Sequence, residues 1–446
     1  MSVASGAGND RAVWPSFVWS SLGIAIAAGF GLGGFLYVAE TLGVRGGLWL
    51  PAAAQAHGHI QLFGWAGLMV LGIGLHFLPR LLGAPLSHPG RAQIILVLFL
   101  TGLILRSVTQ PALALVAAGI PALVVRVGLT TSGLLELAAA TLFVGLLGQT
   151  LRSSPSLRQR TGVWMVLPFF AVAFIAFWLA LVVNLAGLAV AVLSGHVVIE
   201  VWIDRLEISL ALYGFLIPVA VAMSVRTFPL YFRTPQVRLG VLRAGLVISL
   251  TGLGLRAFGE LAERSVSLAV GQLLQAIALL SFAFGVGIFA RRRPLPRQPV
   301  RLTTDAIQLH VITAWLWLLV TAVLLALSSF ATMGVIRVTI PGDAERHLLG
   351  AGFITLLILG VGAHLLPGFA RRPLRSRGLV WTTLALANVA AILRVGPLFL
   401  PADLPSNAIG RLFAAAGLAG VAALVLFAVN LLPQQRKLTG RINASL

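Results

Sequence analysis

Twelve apolar runs, each of about 20 residues, constrain this chain more than any other feature of its sequence. A helix of that length crosses the ~30 Å hydrocarbon core of a bilayer. Only 10% of the 446 residues are charged, whereas soluble domains are about 25% charged. A water-soluble fold is therefore excluded, and we predict an all-α integral membrane protein. The predicted spans are 16–39, 57–79, 91–108, 128–150, 163–184, 207–229, 243–259, 266–290, 307–330, 347–367, 377–394 and 409–432.

One further apolar stretch, 109–126, is predicted to be a hydrophobic loop rather than a span. Pro111, Gly119 and Pro121 interrupt it, and these residues break or punctuate helices. The count of spans therefore stays at twelve.

The charge of the chain is strongly positive, with 32 Lys and Arg against 12 Asp and Glu. If the first terminus is placed inside, 22 of the 32 basic residues fall in the inner loops. Basic loops face the cytoplasm in membrane proteins, so we predict both termini in the cytoplasm. The positive excess then indicates topology and an affinity for anionic membrane lipid, and we expect no nucleic-acid partner.

The absence of cysteine restricts the cofactors. It excludes disulfides, thiolate-bound metals and covalent C-x-x-C-H haem attachment. Any haem is therefore expected to be b-type, and any metal must be held by His, Met or carboxylate.

An internal repeat organises the chain. The segments 57–79, 207–229 and 344–367 align under shifts of 150 and 138 residues. The same shifts superpose three groups of residues: Gly64, Gly214 and Gly352; Pro79, Pro229 and Pro367; and Arg106, Arg256 and Arg394. Repeats of this kind indicate duplicated structural units. We predict one membrane domain, 1–446, built from three four-helix units at approximately 16–150, 163–290 and 307–432.

Histidines form two bands in the aligned spans. His57, His59 and His347 lie at the outer starts of spans 2 and 10, and His76 and His364 lie deeper. Two histidines at equal depth on neighbouring helices can ligate one haem iron, which favours His59 with His347. His57 and His59, two residues apart, point to nearly opposite sides of their helix, so one can bind haem and the other a second metal. In the alternative, these side chains bond backbone carbonyls or cap helices, and the deeper two snorkel to the interface.

Three arginines coincide at outer helix ends, namely Arg106, Arg256 and Arg394. A guanidinium fork matches a carboxylate, so these residues can cradle haem propionates. The alternative is that they pair with outer carboxylates such as Glu260 and Glu263.

Two other ionisable residues are secondary candidates. Glu136 is the one carboxylate placed deep in a span, where it can relay protons or pair with an arginine. Arg226 takes in the second unit the position that His76 and His364 hold in the other two.

Five short motifs are spread along most of the chain: His57-Gly-His-Ile-Gln-Leu-Phe-Gly64, Arg226-Thr-Phe-Pro229, Arg346-His-Leu-Leu-Gly-Ala-Gly352, Arg371-Arg-Pro-Leu374 and Leu393-Arg394-Val395. Together they resemble the NnrS family of bacterial twelve-helix membrane proteins, which contain haem and copper and are linked to nitric-oxide stress. The arrangement of helices also looks like subunit I of the haem–copper oxidases, to whose second helix the run 64–80 is similar.

The resemblance implies a bacterial inner-membrane protein with a haem between helices 2 and 10. The implied ligands are His59 or His57 together with His347, with Arg346 beside them and copper as a second cofactor. Spans 6 and 7 contain no histidine, so the three-histidine copper site of an oxidase is missing. A proton-pumping oxidase is therefore not expected, and no catalytic residue is assigned.

Three functions remain open from the sequence. The first is an NnrS-type haem protein that binds or senses nitric oxide or relieves its toxicity, with or without oxidoreductase turnover. The second is a two-haem electron carrier that uses His59 with His347 and His76 with His364. The third is a non-haem transporter, because repeated helical units and buried polar residues are also transporter features.

Overall fold

The computed structural model describes residues 13–44, 46–116, 119–155, 161–293, 305–401 and 405–433. Twelve long helices in these residues confirm the predicted spans, and one helical turn at Thr161–Trp164 precedes the fifth. The helices are α1 Trp14–Thr41, α2 Trp49–Leu82, α3 Pro89–Leu113, α4 Ala122–Arg152, α5 Leu167–Ser194, α6 Val201–Tyr231, α7 Leu239–Leu261, α8 Ser265–Val286, α9 Ala306–Thr332, α10 Gly342–Ala370, α11 Arg377–Phe399 and α12 Asn407–Leu431.

The helices form an inner group and an outer ring. The most apolar stretches of α2, α6 and α10 are 72–78% buried, compared with 33–50% for the other nine helices. Around them, α3 packs on α4, α4 on α5, α7 on α8, α8 on α9 and α11 on α12, and α12 returns to α1. The second helix of each predicted unit is thus central, and the outer helices leave their apolar side chains facing lipid.

Each central helix changes to π-helix at the same register. The π-helical segments are Ile60–Gly67, Leu210–Leu216 and Leu348–Thr355, whose first residues are related by the shifts of 150 and 138. The three segments touch one another pairwise at the centre of the bundle. π-Helical bulges are rare and often occur at functional sites. The fold is thus twelve transmembrane helices in three related four-helix units, whose approximate limits remain predictions.

The repeated glycines bring the first helix of each unit against the second. A Cβ on Gly214 would lie 2.6 Å from Ala176 in α5, and one on Gly352 would lie 2.8 Å from Trp317 in α9. Gly64 faces Ile24 of α1 in the same way, at 3.2 Å. Close approach of helix backbones in membranes commonly uses such small residues.

The starts of the three central helices and the segment 109–126 differ from the prediction. The three central helices begin five to eight residues early. In α6 and α10 the acidic residues of the first turn, Asp204 and Asp343, lower the hydropathy while favouring a helix start. His57 and His59 therefore lie about 12–15 Å inside α2 rather than at its end. The segment 109–126 is mostly helical, since α3 runs through Pro111 to Leu113 and α4 begins directly after Pro121.

The contact between α1 and α12 gives a stability prediction. A Cβ on Gly417 would overlap the Cα of Gly34, so Gly417→Ala must force the two backbones apart. Overpacking of this kind costs about 1–3 kcal/mol, measurable as a lower midpoint of thermal unfolding in detergent. The control is Gly23→Ala, also in a helix, whose Cβ would meet no atom within 4 Å. Equal midpoints for the two variants would contradict the close packing.

Candidate functional site

A cavity of about 540 Å³ opens at the end of the bundle where α2, α6 and α10 begin, which we call the cavity end. Its walls come from these three helices and from α1, α3, α11 and α12. The volume is that of a cofactor or small-molecule site. Predicted residues that line it are His57, His59, His347, Arg106, Arg346 and Arg394.

Two histidines present ring nitrogens to this cavity from α2 and α10. The Nδ1 atom of His57 lies 2.9 Å from the carbonyl oxygen of Gly29, and that of His347 lies 2.9 Å from the carbonyl oxygen of Asp343. Within the described part of the chain, neither Nε2 atom has a hydrogen-bond partner. A backbone carbonyl on Nδ1 fixes the tautomer and directs Nε2 at a metal in many metalloproteins.

The position of His57 depends on α1. A Cβ on Gly33 would lie 2.5 Å from the His57 ring, so only glycine lets the imidazole lie against this helix. The π-helical segment Ala25–Gly29 ends at the residue whose carbonyl accepts the His57 bond. Insertion of a π-turn disturbs the regular ladder and frees carbonyls, which explains why Gly29 can serve as the acceptor.

His59 is held differently from His57. Its Nε2 lies 2.6 Å from Glu136 of α4, and its Nδ1 lies 2.7 Å from Glu207 of α6. The three side chains are almost completely buried. Both ring nitrogens are therefore engaged by carboxylates, which leaves no free nitrogen for iron and corrects the pairing of His59 with His347.

Glu136 pairs with a histidine and not with an arginine. Space for it comes from α3, because a Cβ on Gly102 would lie 2.6 Å from the Glu136 Cγ. Its second oxygen, Oε1, is buried and has no partner among the described residues. Since buried carboxylate oxygens are normally hydrogen-bonded, this oxygen marks a place for a water or a proton donor.

The three repeated arginines have different surroundings. Arg256 makes a partly buried bidentate pair with Glu345, at 2.7 and 3.2 Å, and Tyr213 donates to the same carboxylate at 2.6 Å. Arg394 pairs with Asp343 and donates to the Tyr37 hydroxyl at 3.1 Å.

Arg106 is hydrogen-bonded to neither a carboxylate nor a tyrosine hydroxyl among the described residues. It is 1% exposed, and its Nε and Nη1 atoms are buried and unpartnered within the described residues. Pairing with outer carboxylates thus holds for two of the three arginines. Their partners are not the expected ones, since Glu260 pairs instead with Arg205, at 3.1 Å. Arg346 lies 3.7 Å from Asp204 at the cavity wall.

The deeper candidates lie away from the cavity and from one another. His76 packs on Phe369, with ring centroids 4.2 Å apart, whereas His364 packs on Tyr231 at 4.4 Å. No contact joins the two histidines among the described residues. Arg226 lies beside Gly162, outside the cavity. The two rings thus have separate aromatic neighbours.

The copper expected from the resemblance has no cluster of three ligands among the described residues. They contain no group of three or more His, Asp or Glu side chains arranged to hold a metal ion. His57 and His59 do point to different surroundings, as their spacing predicts, but the second surrounding is a pair of carboxylates on opposite ring nitrogens. Such an arrangement hydrogen-bonds a histidine and does not chelate an ion.

Several site residues were missed by the sequence analysis, chiefly Tyr37, Asp204, Glu207, Asp343 and Glu345. A signal for two of them exists, because the shifts of 150 and 138 place Glu207 and Glu345 at the position of His57. The repeat therefore marks one functional position on each central helix. Tyr37 carries no such mark, since only the approach of α1 to α11 brings it to Arg394.

Comparison with known proteins supports the fold. No family model matches the chain, and no curated protein matches it. Among solved structures, a cryo-EM structure of a heme-copper terminal oxidase dimer is similar over 96% of this chain and 85% of that chain, with a TM-score of 0.68 and 11% sequence identity. At that identity the likeness shows the fold alone. This chain is an all-α membrane protein with a fold like that of haem–copper oxidase subunit I.

Proposed function

We propose that this protein binds one b-type haem in the cavity, which His57 and His347 would hold. One observation carries the proposal. Two histidines from α2 and α10 line a single cavity, each with Nδ1 on a backbone carbonyl and Nε2 without a partner among the described residues. This is the arrangement that orients imidazoles for a metal.

The cavity suits such a group in its other walls. Apolar surface from Phe30, Leu62 and Phe413 lies beside polar residues at the cavity end, as expected for a site that holds a macrocycle with charged substituents. Since the chain has no cysteine, the group would be held without covalent attachment. When bound, a haem would supply one-electron redox chemistry and a site for diatomic ligands.

The two histidines differ in how firmly they are held. His57 is packed against α1, where Gly33 leaves no free space beside its ring. The side chain of His347 is 22% exposed and its carboxylate neighbour Asp343 is 41% exposed. We infer that His347 would be the more easily displaced of the two ligands, although both would be needed to retain the haem.

Nitric oxide is the diatomic ligand we propose, and the support for it is the resemblance of motifs between residues 57 and 395 to the NnrS family. We further propose a bacterial inner membrane as the location, with both termini in the cytoplasm and anionic lipid at the basic face. Whether nitric oxide is only bound or also converted is the question that turnover measurements answer.

Nitric oxide added to the reduced, purified protein tests this function. We expect the six-coordinate ferrous spectrum to change to that of a ferrous nitrosyl, since one histidine can leave. Carbon monoxide serves as a second probe of the position that the displaced histidine would leave. A reduced spectrum that changes with neither nitric oxide nor carbon monoxide would contradict nitric-oxide binding. It would favour an electron carrier with one haem.

A further inference from the structure

Arg106 is the most anomalous side chain among the described residues. It belongs to α3, is almost completely buried, and lines the cavity. Its Nε and Nη1 atoms have no hydrogen-bond partner among the described residues. Buried guanidinium groups without partners are rare because the loss of hydration is costly, so these two donors point to an absent acceptor.

The internal repeat indicates which residue would correspond to a partner of Arg106. Arg106 corresponds to Arg256 under the shift of 150, and Glu207 corresponds to Glu345 under the shift of 138. Arg256 and Glu345 form a bidentate ion pair. The pair that would match it, Arg106 with Glu207, is not made, because the Glu207 carboxylate bonds His59 instead.

The remaining carboxylates around Arg106 are also committed. Arg106 interacts electrostatically with Glu207, Glu136 and Asp204 without a hydrogen bond to any of them. Glu136 bonds His59 at 2.6 Å, and Asp204 faces Arg346 at 3.7 Å. These charges favour a charged guanidinium, while its Nε and Nη1 donors have no acceptor within hydrogen-bond distance among the described residues.

We propose that Arg106 binds an anionic pair of oxygens, a carboxylate or a small planar oxyanion, on the occupant of the cavity. A guanidinium has two edges of paired N–H groups, Nε with Nη2 and Nη1 with Nη2, and either edge matches such a pair in a fork geometry. Among the described residues no hydrogen bond occupies either edge of Arg106. The oxygens have two sources, a propionate of the proposed haem or a free anion beside it. The inference rests on the proposed function for the first source only.

The same reasoning separates Arg106 from the two related arginines. Arg256 does not line the cavity, and its fork is closed by Glu345. Arg394 lines the cavity, but its Nη2 donates to both Asp343 and Tyr37, and this nitrogen is shared by both edges of the guanidinium. Of the three arginines, Arg106 is therefore the one with its fork free.

Titration of the haem-free protein with haem and with haem dimethyl ester tests the proposal. We expect Arg106→Gln to weaken haem binding by about 10- to 100-fold, the range for a charge-assisted hydrogen bond. It should leave binding of the dimethyl ester unchanged, because the ester has no carboxylate. Arg106→Lys keeps the positive charge but lacks the paired N–H groups of a guanidinium. Its haem affinity should therefore lie between those of the wild-type protein and Arg106→Gln. Arg205→Gln, at an exposed arginine outside the cavity, is the matched control.

The free-anion source has its own arm. This arm applies if haem affinity is unchanged in Arg106→Gln. Formate should then shift the spectrum of the wild-type haem protein, or raise the midpoint of thermal unfolding of the wild-type haem-free protein. It should have neither effect on Arg106→Gln. Equal losses for haem and its ester, or no effect of the substitution in either arm, would overturn the proposal. Failure of the wild-type protein to bind haem would overturn the proposed function, and the formate arm would still decide the role of Arg106.

Discussion

Alanine at His57 or at His347 is expected to remove the Soret band of the purified protein. Each substitution deletes one of the two ring nitrogens that face the cavity without a partner among the described residues. Loss of residues that only orient a metal ligand already costs 10- to 100-fold in metal affinity, so loss of a ligand should cost about tenfold or more. The measurement is haem per chain after purification from cells supplied with haem.

The matched controls are the two deeper histidines. His76→Ala and His364→Ala change rings that pack on Phe369 and Tyr231, away from the cavity, and should keep full haem content. A Soret band that survives in His57→Ala and disappears in His364→Ala would contradict the assignment of the ligands.

Leucine at His59 is expected to produce the largest loss of stability of any single substitution discussed. The change leaves Glu136 and Glu207 buried without their shared partner. Breaking a buried ion pair by removing one member costs about 3–5 kcal/mol. We expect a much lower midpoint of thermal unfolding, or failure to accumulate in the membrane.

Two comparisons show whether this loss comes from the charges. The triple change His59→Leu, Glu136→Gln and Glu207→Gln removes the unpaired carboxylates and should recover much of the stability. His310→Leu alters a buried histidine whose one hydrogen bond to the described residues is from Nδ1 to the Ala306 carbonyl, at 2.8 Å, and should cost far less. If His59→Leu were no worse than His310→Leu, the carboxylate–histidine cluster would not be a stabilising feature.

The three units use one set of positions in three ways. Between the second and third units, Arg256 and Glu345 close the interface with an ion pair. Between the first and second, Glu207 turns to His59 and leaves Arg106 free. Arg394 of the third unit lines the cavity together with His57 of the first unit. His57 occupies the position that corresponds to Glu207 and Glu345 in the other two units. Divergence at this position is what separates a closed interface from a cavity.

The fold was predictable because its signals are local or periodic. Hydropathy marks every span, and the shifts that align Gly64, Gly214 and Gly352 mark the central helices. The helix starts were not predictable from hydropathy, since acidic residues such as Asp204 and Asp343 interrupt the apolar runs while lying in the first turns of helices.

The site was predictable in its residue types and not in its pairings. The sequence indicates that His57 and His59 face different sides of α2, but the choice between them depends on α1, where Gly33 makes room for one ring. The partners of the arginines depend on which helices of different units meet. Contacts such as His59 with Glu136 join residues 77 positions apart, beyond the reach of a local pattern.

The haem content of the purified wild-type protein tests the central claim most directly. A pyridine haemochromogen assay, combined with elemental analysis for copper, gives both cofactors per chain. The cavity with His57 and His347 predicts one b-type haem per chain, with a six-coordinate low-spin spectrum and no stoichiometric copper. A colourless protein from cells with ample haem, or two haems per chain, would contradict it.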